Sequence, residues 1–330
     1  MTRTYIVTHT DLDGVSSAAI YLRLSKKKLN EVHVIFAEPH HLSHVLRELP
    51  GGSHVVIADL GLNEDTMEAI AREVERIQKH GGRIEWYDHH VWPKEWIERL
   101  EESGAKLYID TSTCAAGVVA KYVADRAEKT RDSFVDELVK ATCAADLWIW
   151  NNPLAPKLYR VAGRFKGPRG DEWRRYMLER LVEGELWWDE LNDILLDYIH
   201  REFRGFQEAL STLRIENTSN CRIAYVIRTN GPPSAGILGS TLLGRYRVDI
   251  VVIIRTWGNG ISLRSQNVDV SRIARKIGGG GHPRAAGAAL NMPLIYRLIS
   301  IFWPKIRLRY AKKLVEAAVE EIGGCPQLQE

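Results

Sequence analysis

The 330-residue sequence predicts an α/β protein in two parts: an N-terminal doubly wound parallel five-stranded sheet domain, then a smaller C-terminal α/β domain with a mixed sheet. Three observations lead there. Short apolar runs alternate with helix-period segments through the first third of the chain, the pattern of strands joined by crossover helices. Hydrophobic residues make up 45% of the chain, enough for more than one core. A long helical, charged stretch then separates this region from a second group of β-type runs.

Tyr5-Ile6-Val7-Thr8 reads as a buried strand, followed by a helix through Ala18-Ala19-Ile20-Tyr21-Leu22. Val32 to Phe36 is a second strand, with a helix pattern from Leu42 to Leu49. His54 to Ala58 is a third, followed by an amphipathic run from Glu64 to Lys79. Arg83 to Tyr87 and Lys106 to Ile109 complete the five. In such a sheet, ligands bind at the carboxyl ends of the strands. From Ala115 to roughly Ala209 the pattern is helical, broken by a Gly/Arg/Lys segment at Gly163 to Gly170. The expected division is a first domain over 1–185, a helical linker over 186–215 and a second domain over 216–330. The second domain carries strands at Cys221 to Ile227, Val248 to Ile254, Gly260 to Arg264 and Ala285 to Leu290, and ends in a helical tail.

The net charge of +3 permits an anionic ligand without the basic footprint of a long nucleic-acid tract. Four cysteines, Cys114, Cys143, Cys221 and Cys325, lack any Cys-x-x-Cys pair, so a zinc ribbon is excluded and no disulfide framework is expected. With no signal-like N-terminus and no run approaching ~18 apolar residues, the expectation is a soluble, cytoplasmic protein with no membrane role.

Acids and histidines stand directly after the apolar runs. His9-Thr10-Asp11-Leu12-Asp13-Gly14 ends the first strand, Asp59 ends the third, and Asp88-His89-His90 ends the fourth. Asp146 lies in a helical run. One carboxylate after a strand reads equally well as a helix N-cap. Three strand ends offering Asp or His at one sheet edge concentrate negative charge that repels itself unless cations neutralise it. Carboxylate and imidazole donors with little sulfur suit Mn²⁺, or else Mg²⁺ or Fe²⁺. Two such ions ~3.5–4 Å apart can stabilise both oxygens of an in-line phosphoryl displacement.

These residues, in this order, resemble the four motifs of the DHH phosphoesterase superfamily. In the second half Ser262-Leu263-Arg264-Ser265 and Gly279-Gly280-Gly281-His282-Pro283-Arg284-Ala285-Ala286-Gly287 resemble the signature of the DHH-associated C-terminal domain. The resemblance implies two divalent metal ions, Mn²⁺ for preference, with the active-site cleft between the two domains. It implies His9, Asp11 and Asp59 on one ion, and Asp13, Asp59, His89 and Asp146 on the other, with Asp59 shared. Asp88 orients its neighbours or ligates directly, His90 points to the scissile phosphate, and a hydroxide bridging the ions is the nucleophile. Asp59, Asp88 and His90 are thus the expected catalytic residues.

Gly278 to Gly281 reads as a turn, or as backbone that can approach an anion closely because it lacks Cβ atoms. The guanidinium forks of Arg264 and Arg284 suit a terminal phosphate. The expected substrate grip is therefore Arg264 and His282, with Arg284 and the backbone of Gly279, Gly280 and Gly281. His40, His41 and His44 read as solvent-facing residues at a helix entry, with metal ligation as the alternative, and Lys26-Lys27-Lys28 as a solvated helix end. Trp148-Ile149-Trp150 and Trp187-Trp188 read as core packing, with base stacking as the alternative. Thr111-Ser112-Thr113 is expected to cap the helix that follows, with contact to the metal site as the alternative.

The implied activity is hydrolysis of short single-stranded RNA or DNA to mononucleotides; a homodimer is left open. Alternatives are an exopolyphosphatase, a 3′-phosphoadenosine phosphatase or cyclic-dinucleotide phosphodiesterase, a RecJ-like single-strand exonuclease, and a non-catalytic replication scaffold.

Overall fold

The computed structural model describes residues 3–126 and 132–328. The chain divides into two compact units, Met1–Leu195 and Leu196–Glu330.

The first unit contains β1 (Thr4–Thr8), α1 (Leu12–Ser25), β2 (Val32–Phe36), α2 (Leu42–Glu48), β3 (His54–Ala58), α3 (Glu64–Lys79), β4 (Arg83–Asp88), α4 (Lys94–Glu102) and β5 (Ala105–Ile109). The helices α5 (Ala115–Arg126), α6 (Ser133–Asp146), α7 (Ala155–Ala162) and α8 (Pro168–Glu183) follow. The five strands form one wholly parallel sheet in the order β2-β1-β3-β4-β5.

Every residue of β1 and β3 is buried, as expected of parallel strands covered on both faces. Successive side chains alternate between two cores. Ile6, Val56 and Tyr87 pack on the side of α1, α5 and α6. Tyr5, Val7, Val55, Ile57 and Trp86 pack on the side of α2 and α3. Met67, Ile70, Ala71, Val74 and Ile77 recur at helical spacing and form the buried stripe of α3, leaving its charged residues to solvent. Because β1 has β2 on one side and β3 on the other, the chain reverses direction of winding there. The crevice at the carboxyl ends of β1 and β3 is the switch point where such sheets bind ligands.

The helix α9 (Glu190–Thr212) leads into β6 (Arg214–Thr218), β7 (Cys221–Arg228), α10 (Ala235–Tyr246), β8 (Ile250–Arg255), β9 (Gly260–Arg264) and α11 (Val270–Lys276). Then come β10 (Gly280–His282), β11 (Ala285–Ala289), α12 (Leu294–Phe302) and α13 (Lys305–Glu321). The sheet is mixed, in the order β10-β11-β9-β8-β7-β6, with β7 and β8 its parallel pair. One face packs on α11 and α13, the other on α10. β6, α4 and α10 lie outside the elements that the sequence predicts. α10 is rich in glycine and small residues and shows little apolar periodicity. The glycine run is no open loop: Gly280, Gly281 and His282 form β10, paired antiparallel with β11.

The cysteines depart from expectation. Cys114 and Cys143 form one disulfide and Cys221 and Cys325 another, leaving no free thiol. Each pair is separated by 29 or 104 residues in sequence, so no local spacing motif announces it.

Candidate metal centre

Adjacent strand ends place the acids and histidines. The loop after β1 carries His9 and Asp11, and Asp11 caps α1: its Oδ1 accepts from the backbone N–H of Asp13 at 3.0 Å and of Gly14 at 3.1 Å. Its other oxygen lies 3.0 Å from His9 Nδ1. Asp59 follows β3 with φ +56°, a left-handed conformation that aspartate tolerates better than most residues. Its Oδ2 lies 3.6 Å from His9 Nδ1 and its Oδ1 3.5 Å from His89 Nε2. The same His89 nitrogen is 3.5 Å from Asp146 Oδ2 and 4.0 Å from Asp13 Oδ2.

Three groups of candidate ligands emerge among the described residues: His9 with Asp11 and Asp59, Asp13 with His89 and Asp146, and Asp59 with Asp88, His89 and His90. Asp59 reaches a histidine of each. His9, Asp11, Asp13, Asp59, His89 and Asp146 are thus brought together at one edge of the sheet.

Asp88 is fully buried, and both its oxygens are engaged: Oδ1 with His90 Nδ1 at 2.8 Å, Oδ2 accepting from Trp92 Nε1 at 2.9 Å. It therefore holds His90 and fixes its tautomer, although it also lies within reach of Asp59 and His89. His90 is partly exposed; burial disfavours its charge, but the Asp88 carboxylate outweighs this and raises its pKa. Gly61 leaves the room His90 occupies, for a Cβ at 61 would stand 3.0 Å from the His90 Cγ.

Several positioning contacts were not legible in sequence. Asp13 caps α5 across the fold, its Oδ2 accepting from Ala115 N at 2.7 Å and its Oδ1 from Ala116 N at 2.8 Å. The expected local cap from Thr111 to Thr113 is not what binds these amides; Thr113 Oγ1 instead contacts Cys143 Sγ at 3.5 Å. Glu38, after β2, lies 3.3 Å from His9 Nε2 and accepts from Thr10 Oγ1 at 2.6 Å. Arg174, on α8, donates to the Thr10 carbonyl and to Asp171. The only sequence signal for Glu38 was its place at a strand end.

The electrostatics favour a cation. Burial, reinforced by the surrounding carboxylates, pushes Asp13 and Asp59 well above the usual carboxylate range, and burial raises Asp146 too. Burial opposes a charge on His9, yet Asp11, Asp59 and Glu38 outweigh it and raise its pKa. The hydrogen bond to His9 draws Glu38 down to about 2. Asp59 Oδ2 and Asp146 Oδ2 are buried and accept no hydrogen bond. An orphaned buried acceptor is unfavourable unless something positive meets it. Oxygen and imidazole donors fit Mn²⁺, Mg²⁺ or Fe²⁺, and the nearby Cys143 is tied in its disulfide, leaving no thiolate for a softer metal.

In the second unit, β9, β11 and β10 bring Arg264, Ala285 and His282 into one cross-strand row. Arg264 and His282 therefore project from the same face. The Arg264 stem lies against Gly239 of α10, where a Cβ would come within 2.6 Å of its Cγ. Arg284 sits in the exposed turn between β10 and β11, and its carbonyl accepts from Ser265 N at 3.1 Å. Gly279 and Gly281 are required for close packing: a Cβ at 279 would meet the Gly287 carbonyl at 2.1 Å, and one at 281 the Ala286 Cα at 2.7 Å.

His40, His41 and His44 are exposed and join no metal-like group among the described residues. Arg164 and Arg169 lie over the Phe165 ring, and Trp188 packs in the core. No helix among the described residues is long and apolar enough to cross a membrane.

Comparison with known proteins shows which domains and which fold the chain shares with others. A family model described as the DHH family, N-terminal domain, matches residues 3–145, and one described as the DHHA1 domain matches residues 222–307. The oligoribonuclease NrnB of Bacillus subtilis (strain 168) is 23% identical over 301 residues, 87% of this chain and 73% of that protein. The fold is similar to that of exonuclease RecJ bound to manganese (TM-score 0.61, 15% identity, 96% of this chain and 89% of that one). It is also similar to that of PggH, a pGpG-specific phosphodiesterase from Vibrio cholerae (TM-score 0.58, 13% identity, 92% and 99%).

Proposed function

The chain belongs to the DHH family of phosphoesterases, and from that premise we propose that it hydrolyses short single-stranded oligonucleotides to mononucleotides with two divalent cations, Mn²⁺ for preference. The observation that carries the metal chemistry is the pair of buried carboxylate oxygens without a hydrogen-bond donor, Asp59 Oδ2 and Asp146 Oδ2, set among Asp11, Asp13, Asp88, His9, His89 and His90. The oligonucleotide part is supported by the likeness to NrnB over most of both chains.

In this reading His9, Asp11 and Asp59 hold one cation, and Asp13, Asp59, His89 and Asp146 hold the other. Cations there neutralise phosphoryl charge and supply a water-derived nucleophile at neutral pH. The chain's own residues do the rest. Asp13, fixed by two backbone amides, and Asp11, fixed by its cap, keep their carboxylates in place before substrate arrives. Glu38 holds the His9 ring from its far nitrogen. Asp88 keeps His90 protonated at Nδ1, and Asp88's influence favours the doubly protonated ring. That ring donates a hydrogen bond to a phosphoryl oxygen and carries a proton where the departing sugar oxygen needs one. Arg264 and His282, with Arg284, bind the phosphate that is not cleaved.

The test is a time course of hydrolysis of labelled oligomers from two to about twenty nucleotides, RNA and DNA, with polyphosphate as control and Mn²⁺ present. A rate falling steeply with length is expected. A flat length profile or a preference for polyphosphate overturns the oligonucleotide reading, and no hydrolysis with any divalent ion overturns the enzyme reading.

A further inference from the structure

The loop after Asp146 is built in a way that folding alone does not explain. Trp148 and Trp150 have φ of +62° and +58°, a left-handed backbone in which a bulky side chain is strained and for which glycine or asparagine is the usual choice after a helix. Strain kept at such residues marks a constraint beyond local stability. The loop is also firmly held. Trp148 N donates to the Ala145 carbonyl at 3.3 Å, and the backbone N–H groups of Ile149 and Trp150 both donate to the Ala144 carbonyl, at 3.0 and 2.8 Å. The residues that anchor it are thus the two immediately before Asp146. Three consecutive Cα atoms span at most about 7.6 Å, so the Trp148 backbone stands within that distance of the Asp146 Cα.

The rings differ from the tryptophans used for packing. Trp86 is fully buried and Trp188 nearly so, whereas Trp148 is 37% exposed and its neighbour Ile149 is 55% exposed. The Trp148 ring is steadied edge-on by two others, Trp150 at 4.8 Å and 72° and Tyr159 at 6.0 Å and 85°, which themselves meet at 5.5 Å and 87°. Trp150 is half-buried against the core and Tyr159 rides on α7, so the cluster is rooted on one side and open on the other.

We propose that Trp148, supported by Trp150 and Tyr159, is a stacking platform for a nucleobase of the substrate whose phosphate is bound at Asp146. This rests on the reading of the chain as an oligonucleotide phosphodiesterase and names the part of the substrate that one ring of the site receives. A base lies one sugar away from the phosphate that the metal centre binds, and a rigid indole next to a metal-binding carboxylate is placed to meet it. Stacking is tolerant of sequence because every base has a π-face, so this contact gives affinity for nucleotides in general and little preference among them.

The test compares two ligands with the full-length protein in Mn²⁺: adenosine monophosphate, and ribose 5-phosphate, which lacks the base. Affinities are read by calorimetry for the wild type, Trp148→Leu and Trp148→Phe. The wild type is expected to bind the nucleotide about 5- to 150-fold more tightly than the sugar phosphate, the range that one stacked base supplies. Trp148→Leu, which keeps apolar bulk, should lose most of that ratio while its affinity for ribose 5-phosphate stays unchanged. Trp148→Phe should keep most of it. An unchanged ratio in Trp148→Leu overturns the proposal, as does an equal loss for both ligands, which is the mark of a purely structural role. Because no hydrolysis is involved, a protein that prefers polyphosphate in the length-series experiment contradicts the oligonucleotide reading separately from this one.

Discussion

The Asp13 carboxylate caps a helix that begins 102 residues later, accepting from Ala115 N at 2.7 Å and, with its other oxygen, from Ala116 N at 2.8 Å. One side chain thus both faces the metal centre and secures the N-terminus of α5. Asp13→Ala should lower the stability of the metal-free protein by about 1–2 kcal/mol, the usual loss for a removed cap, besides weakening Mn²⁺ binding. Urea denaturation in EDTA measures the first and calorimetric titration the second. If stability is unchanged, the cap contributes nothing.

Asp59 combines a left-handed backbone with a buried carboxyl whose Oδ2 accepts no hydrogen bond. Asp59→Asn should tolerate the same φ, remove a repelling charge and raise the melting temperature of the metal-free protein. Asp59→Ala should be less stable than Asp59→Asn by roughly 1 kcal/mol, because alanine gains nothing from that backbone region. Both should abolish metal-dependent hydrolysis. Equal melting temperatures for the two variants would argue against a conformational role for the side chain.

Acidity should stabilise the metal-free protein. Asp13, Asp59 and Asp146 hold protons more tightly folded than unfolded, so the folded chain takes up protons first as pH falls. Their contribution is full below the unfolded carboxylate range and is lost as pH rises through the raised folded values. The raised His9 acts in the same direction above its ordinary 6.5. Asp11 and Glu38 are lowered and oppose this only as pH falls below their ordinary 3.8 and 4.5. Melting temperatures in EDTA should therefore rise from about pH 8 to pH 5, and saturating Mn²⁺, which competes with those protons, should reverse the trend.

Gly61 is the space-maker for His90. Gly61→Val should displace the imidazole and reduce kcat by about 10²- to 10⁴-fold, the usual scale for a misplaced general acid. Mn²⁺ affinity should remain near wild type, because His90 faces Asp88. A parallel loss of metal binding would instead place His90 among the ligands.

The disulfides join distant segments, and the Cys221–Cys325 pair spans 104 residues. Replacing that pair by serine should lower stability by about 2–5 kcal/mol. The Cys114–Cys143 bond ties the residue before α5 to the turn that precedes Asp146. Its reduction should weaken Mn²⁺ binding along with stability, whereas loss of Cys221–Cys325 should leave metal affinity unchanged. Titrations of each double variant separate the two effects.

The sequence by itself determined the five parallel strands, since runs such as Tyr5 to Val7 and Val55 to Ala58 are apolar throughout and only a doubly covered sheet buries them. It also marked His9, Asp11, Asp59 and His89, because a strand end fixes where the next residue stands. It left α10 unseen, since a helix of glycine and small residues has no apolar stripe to read. What only the tertiary structure decided were the contacts between residues far apart in the chain. The capping of Ala115 by Asp13, the reach of Glu38 to His9 and both disulfides depend on which strands lie side by side. So does the role of Asp88, whose two oxygens are already engaged by His90 and Trp92. Local patterns specify elements through periodic burial; the distance between two side chains on different elements is set by packing, which no single segment encodes.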